Sequence, residues 1–308
     1  VRSVKKLLLY DVAAESGGAL TVLDAFYDTY RNDPEYECWF VVSKPDYQED
    51  EKTHVVRLPW VKRSWFHRLF CDHIYMPGLI QRIGVDEVLS LQNIGVPRCS
   101  VPQTVYVHNA IPFTEHRFSL SKDPFLWVYQ NLIGRMTIRS LKRVDRVIVQ
   151  TRWMKEAIAQ RCVIPQDRIS VRKMETFMEE ETVRVPTERP VFFYPAAFFR
   201  FKNHALILDA CRKLKADGVT DYEVVLTLED QGNPLAEPAR EQGLPIRFVG
   251  QLDKERMKEF YRSSILLFPS YLETVGLPLL EAQRFHAPIL AADCAYAREA
   301  VGTYEDCA

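Results

Sequence analysis

The stretch "SILLFPSYLETVGLPLLEAQRFHAPILAAD", residues 264–293, decides how this chain is read. It opens and closes on apolar runs short enough for buried strands, with a helical pattern over 277–286 between them. Strand, helix and strand at this spacing form a βαβ unit, which requires parallel strands. Pro278 suits the first turn of that helix, where a missing N–H is no loss. Two glutamates flank the opening, Glu273 in the loop before the helix and Glu281 roughly one turn inside it. Core packing asks for neither. The amides of Val275, Gly276 and Leu277 lie at or just before the helix start, where unpaired N–H groups gather and attract phosphate. Gly276 lets a ligand approach the backbone, and a first-turn carboxylate accepts hydrogen bonds from a vicinal diol. Two isolated glutamates are better explained by a complement to the helix dipole and a solvated loop acid. The surrounding sequence reverses that preference.

Outward from this stretch the same alternation continues. Before it come strand patterns at 191–197, 223–228 and 246–250, with helical patterns at 203–218, 234–242 and 254–262. The first half repeats the theme, with strands at 5–14, 38–43, 54–59, 86–91, 103–108 and 145–150. Helical patterns there cover 20–33, 64–83, 124–142 and 152–161. Alternating strands and helices point to α/β domains with parallel sheets. Residues 172–190 break the rhythm with charge and two prolines, and read as a linker between domains over 1–180 and 188–308. Ligands are expected at the carboxyl ends of the strands, in a cleft between the two.

At 308 residues the chain is long for one core, and its 47% apolar and 26% charged residues are those of a soluble globular protein. Forty basic against forty-one acidic residues argue against a dedicated nucleic-acid binder. The seven cysteines make no C-x-x-C pair and read as reduced core thiols of a cytoplasmic protein. No apolar run has the length of a membrane span, and the start "VRSVKKLLLY" does not form a signal peptide.

Several smaller features carry chemistry. In "FYPAAFFRFKNHALILDA" (193–210), Arg200 and Lys202 sit between a strand end and a helix that Asn203 or His204 is placed to cap. Two cations there would hold a diphosphate and offset charge on a leaving group, and a solvated loop explains them equally well. Gly17-Gly18 follows the first strand as a thin turn; without G-x-G-x-x-G, a nicotinamide dehydrogenase lacks its fingerprint. His108 ends an apolar strand, where a lone histidine is more often a satisfied structural residue. "LPWVKRSWFHRLF" (58–70) mixes Trp60, Trp65, Phe66 and Phe70 with Lys62, Arg63, His67 and Arg68. That mixture suits a membrane headgroup region, or a buried helix with one basic face.

The segment "PSYLETVGLPLLEAQRFHAPILAAD" resembles the E-x7-E signature of retaining glycosyltransferases of family 4, usually P-S-x-x-E-x-F-G-L-P-x-x-E-A. The chain departs from it at Val275, where an aromatic is common. The resemblance implies the GT-B fold, two Rossmann-like domains facing across a cleft. It gives Glu273 a contact with the donor sugar and Glu281 one with the nucleotide ribose. Lys202-Asn203 resembles the family's K-N or K-G, although an arginine usual five residues before the lysine is Ala197 here, which leaves that part to Arg200. The resemblance further implies that Gly250 lies in backbone flanking the nucleobase, that Gly276 and Leu277 receive the diphosphate with Gly17 and Gly18 opposite, and that His108 touches the donor sugar. Family members usually continue past the last strand into helices that cross back, so the donor domain is expected to be incomplete at its C-terminus.

The expected reaction is transfer of a sugar from a nucleotide diphosphate to a glycan or lipid-linked glycan, with retention. The sequence holds no D-x-D, so no metal and no cofactor beyond the donor are expected. Residues 60–70 are the expected peripheral contact with the inner face of a membrane. A non-catalytic nucleotide-sugar-binding scaffold and a GT-B nucleotide-sugar epimerase are the alternatives.

Overall fold

The computed structural model describes residues 4–15, 17–173, 178, 183–185 and 187–308. They belong to two compact units, Val1–Lys173 and Met174–Ala308, each built on its own parallel sheet. Much of the expected linker, residues 174–177, 179–182 and 186, lies outside the described residues.

The first unit has seven strands: β1 (Lys5–Asp11), β2 (Tyr36–Val42), β3 (Thr53–Arg57), β4 (Glu87–Ser90), β5 (Gln103–Val107), β6 (Arg146–Val149) and β7 (Ile169–Val171). Their order is β3-β2-β1-β4-β5-β6-β7, with every neighbour parallel. The second unit has five: β8 (Val191–Tyr194), β9 (Glu223–Leu226), β10 (Ile246–Phe248), β11 (Ile265–Phe268) and β12 (Ile289–Ala291), in the order β10-β9-β8-β11-β12.

Central strands covered on both faces must be apolar throughout, and Leu7 to Asp11 of β1 form one buried run. In the second unit Phe193, Tyr194, Tyr261, Phe268 and Phe285 are shut in completely. Strand order reverses between β1 and β4 in one sheet and between β8 and β11 in the other. The connections diverge at these points and leave a crevice at the carboxyl ends of the strands, where such sheets bind ligands.

Three local departures from expectation have physical reasons. Gly17 and Gly18 are not a thin loop: they open the helix Gly17–Arg31, whose apolar residues follow directly. Glycine in a first turn costs little, because those amides are unpaired in any case. Asn203 precedes the helix His204–Ala216 in a left-handed conformation, with no side-chain cap bond. The helical patterns at 64–83 and 124–142 are each interrupted by a π turn, at Cys71–Tyr75 and Tyr129–Ile133. Ahead of the first π turn the helix Trp65–Phe70 buries nothing; beyond it Met76, Leu79 and Ile80 join the core.

Candidate functional site

The second unit gathers its polar chemistry at the β8/β11 crevice. After β8 the chain runs through an exposed loop into the 3-10 turn Arg200–Lys202. The Tyr194 hydroxyl donates to the Lys202 carbonyl at 2.9 Å, and the Tyr271 amide donates to the Phe201 carbonyl at 3.0 Å. These bonds stitch the loop after β8 to the loop after β11. Lys202 and Glu273 are 71 residues apart in sequence, yet Lys202 Nζ forms an ion pair with Glu273 Oε1. Ser270 Oγ donates to the same oxygen at 2.8 Å. Both bonds land on Oε1, and Oε2 takes neither.

Burial makes this pair firm. The Lys202 and Glu273 side chains are 18% and 15% exposed, and Ser270 is fully buried. Lys202 Nζ also lies 5.8 Å and 6.0 Å from the ring centres of Phe201 and Phe268, within range of a cation–π attraction. Tyr296 donates its hydroxyl to the Ser270 carbonyl, anchoring the loop from the far side. Removing one partner of a desolvated pair strands the other charge, so each group fixes its neighbour's position.

Gly276 then turns the chain with φ 76° into the helix Leu277–Arg284. A Cβ there would be strained by the backbone and would sit 3.1 Å from Leu279 and 3.2 Å from Tyr296. The N–H groups of the first helical turn have no partner within the helix. Glu281, on this helix, accepts the Tyr261 hydroxyl on Oε2 at 2.6 Å. Burial raises the Glu281 carboxyl above its usual range, against the pull of that hydrogen bond.

The remaining expected residues are placed as follows. Arg200 is exposed in the same turn as Lys202. Gly250 follows β10 with φ 69°, and a Cβ there would meet the Glu229 carboxylate at 2.9 Å. In the first unit His108 directly follows β5, and its backbone N–H donates to Asn93 Oδ1 at 2.7 Å. Its Nδ1 is buried without a partner, and burial lowers its pKa to about 4, so the ring is neutral at pH 7. Gly17 and Gly18 lie in that unit, at the start of the helix after β1.

Four residues that sequence reasoning left without a role prove to hold the site: Ser270, Tyr261, Tyr194 and Tyr296. Three are tyrosines buried almost completely, each spending its hydroxyl on the site's backbone or carboxylate. A buried tyrosine needs a partner for its O–H; Tyr194, at the end of the apolar run VFFY, carried that signal, whereas Tyr261 in the charged KERMKEFYRS did not.

Comparison with known proteins covers nearly the whole chain. The family model described as Glycosyltransferase Family 4 matches residues 16–173, and that described as Glycosyl transferases group 1 matches residues 177–307. D-inositol 3-phosphate glycosyltransferase 2 of Catenulispora acidiphila is 32% identical over 124 residues. That match takes in 36% of this chain and only 29% of the relative's length. Among solved structures, sucrose-phosphate synthase from Thermosynechococcus elongatus superposes with a TM-score of 0.67 at 15% identity, over 94% of this chain and 82% of that one. WaaG, a glycosyltransferase involved in lipopolysaccharide biosynthesis, gives 0.64 at 12% identity, over 96% and 83%. Anabaena HepE in complex with UDP and glucose gives 0.64 at 14%, over 96% and 82%. At these identities the likeness speaks for the fold alone, which is GT-B.

Proposed function

The chain belongs to glycosyltransferase family 4, and on that premise we propose that it moves a hexosyl-type sugar from a nucleotide-diphosphate donor to a glycan or lipid-linked glycan acceptor, with retention at the anomeric carbon and without a metal. The observation that carries this reading is the Lys202–Glu273–Ser270 cluster beside the start of the helix Leu277–Arg284. Lys202 and the amides at Gly276 and Leu277 receive the diphosphate, with Arg200 at its solvent side. Charge grows on the leaving phosphate as the bond to the sugar breaks, and preorganised donors stabilise it there. Glu273 Oε2 accepts from the sugar's hydroxyls while Oε1 stays with Lys202 and Ser270. Glu281 Oε1 takes the ribose hydroxyls, its other oxygen being held by Tyr261. Backbone at Gly250 lies along the base.

Retention follows if the acceptor oxygen attacks from the face that the phosphate leaves. The bond from the anomeric carbon to phosphate oxygen breaks, the bond to acceptor oxygen forms, and the acceptor's proton passes to the departing phosphate. No enzymic nucleophile is needed, unlike a retaining glycosidase with its carboxylate pair. His108, neutral at pH 7, is suited to hydrogen bonding rather than to carrying a charge.

The first unit supports a membrane-side acceptor. Trp65, Phe66 and Ile74 are 70%, 83% and 62% exposed, with Leu69 and Phe70 beside them and the exposed Lys62 and Arg63 next in sequence. Aromatic and aliphatic groups ringed by cations suit an anionic headgroup layer. Among the described residues no helix is long and apolar enough to cross a membrane. We therefore place residues 60–70 as a peripheral contact at a cytoplasmic membrane face.

Calorimetric titration with UDP-, GDP- and ADP-sugars tests the reading, with Glu281→Ala and Lys202→Ala beside the parent. One donor that binds the parent and fails with both variants supports it and names the nucleotide. If no donor binds the parent, a transferase reading of this cluster falls and a scaffold role takes its place.

A further inference from the structure

The segment expected to be a linker meets the second unit at Arg184 and Val185, against the C-terminus of the helix Lys254–Ser263. The Arg184 guanidinium donates from Nη1 to the Tyr261 carbonyl and from Nη2 to the Ser264 carbonyl, both at 3.1 Å. The Val185 amide donates to the Arg262 carbonyl at 3.0 Å. The last carbonyls of a helix have no partner within it, and here two adjacent residues answer those of Tyr261, Arg262 and Ser264. A planar fork fixes two acceptors at once, which a flexible point charge does not.

Tyr261 carries this constraint inward. It is fully buried, its ring stacked on Phe285 at 5.8 Å between centres and set edge-on to Phe193 at 5.6 Å. Its hydroxyl donates to Glu281 Oε2 at 2.6 Å. Close-packed interiors have no slack, so a ring clasped on two sides cannot turn to absorb a shift of its own backbone. Movement of the Tyr261 carbonyl therefore arrives at the hydroxyl, and from there at the Glu281 carboxylate. A carboxylate that serves a vicinal diol must be held within about 0.5 Å of its working position.

We propose that Arg184 is a positioning residue for nucleotide recognition: it clamps the end of the helix Lys254–Ser263, and through Tyr261 it sets Glu281 against the ribose diol. The proposal rests on the ribose role given to Glu281 above. It also reaches further, because Arg184 sits at the amino end of β11, opposite the end where the diphosphate is placed. An arginine that only caps the helix would add stability and leave the choice among nucleotides as it is. Ribose and deoxyribose tell the two apart.

The test is calorimetric titration of the full chain with UDP, GDP and ADP, each beside its 2′,3′-dideoxy form. The parent should bind one ribonucleotide about tenfold or more tightly than its dideoxy form, the size of hydrogen bonds to a charged group. Arg184→Met removes the fork and should bring that preference below about threefold, with dideoxynucleotide affinity within about twofold of the parent. Arg184→Lys, able to reach one carbonyl, should fall between. Tyr261→Phe should lose the preference to the same degree. The double variant with Arg184→Met should lose no more than either, since both act along one path. Melting curves show which variants are folded; if Arg184→Met is not, Arg184→Lys decides. Arg184 variants that weaken both forms alike, or keep the preference intact, overturn the positioning role and leave a helix cap. A parent that binds no nucleotide, or binds both forms equally, removes the ribose role of Glu281 and this proposal with it. The parent thus reports on the transferase reading, and the Arg184 variants on the inference drawn from it.

Discussion

The two reversal points, one in each sheet, are equipped in opposite ways. At β8/β11 the charged groups answer one another: Lys202 holds Glu273, Ser270 shares the same oxygen, and Tyr261 holds Glu281. At β1/β4 Asp11 Oδ2 and both amide atoms of Gln92 are buried without a partner, while Asp11 Oδ1 accepts the amides of Ala13 and Ala14. A paired site keeps its shape at the cost of exchanging partners on binding, so its affinity reflects a difference between two good arrangements. An unpaired site carries its desolvation cost already, and a fitting ligand recovers it. The comparison teaches that one sheet pairs the buried polar groups at its reversal point internally while the other leaves some of them unpaired.

The sharpest way to break this contrast is Lys202→Ala. It removes the cation and strands Glu273, and turnover should fall about 10²–10³-fold, measured as donor consumption at saturating acceptor. Glu281→Gln comes next. Donor affinity should drop about tenfold by calorimetry, as a charged hydrogen bond becomes neutral. Its stability moves the other way. The folded-state pKa of Glu281 lies above its ordinary 4.5, so ionisation at neutral pH weakens the fold. The glutamine chain should therefore resist urea better at pH 7, with the advantage vanishing as pH falls toward 4.5.

Smaller effects sharpen the picture. Trp65→Glu with Phe66→Glu should abolish sedimentation with anionic vesicles while stability stays within about 0.5 kcal/mol, since both side chains are exposed. Gly250→Ala should cost about 1–2 kcal/mol in urea denaturation, from a left-handed backbone and the crowding of Glu229. The least effect concerns His108. Its pKa of about 4 lies below the ordinary 6.5, so its contribution is complete above pH 6.5 and is lost as pH falls toward 4. His108→Asn should flatten that part of the stability profile of the first unit.

Most strands were legible because a strand covered on both faces has to be apolar without interruption, as Leu7 to Tyr10 are. β7 escaped notice: three residues with Ser170 in the middle make no pattern. The helix Ala295–Val301 escaped as well, since seven residues hold under two turns of period. Glu273 and Lys202 stood out by their motifs, yet their pairing could not be read from either. Nothing local in residue 202 points to residue 273; only the adjacency of β8 and β11 joins them. Asp11 and Gln92 were invisible for a related reason. A carboxylate at a strand end is common, and what distinguishes this one is the absence of a bond, which spacing cannot express.

The π turn at Cys71–Tyr75 has a consequence for how this chain tolerates insertion and deletion. One extra residue per π turn advances the helix phase by about 100°. It lets Trp65, Phe66, Leu69 and Phe70 look outward while Met76, Leu79 and Ile80 look inward along one continuous run. Deleting a single residue within 71–75 would reset that phase, carrying the aromatic stripe toward the protein or the aliphatic one toward water. A loop would absorb such a change without comment. Here the spacing of residues 65–80 is itself the information, and chain length in this segment is constrained as tightly as any side chain.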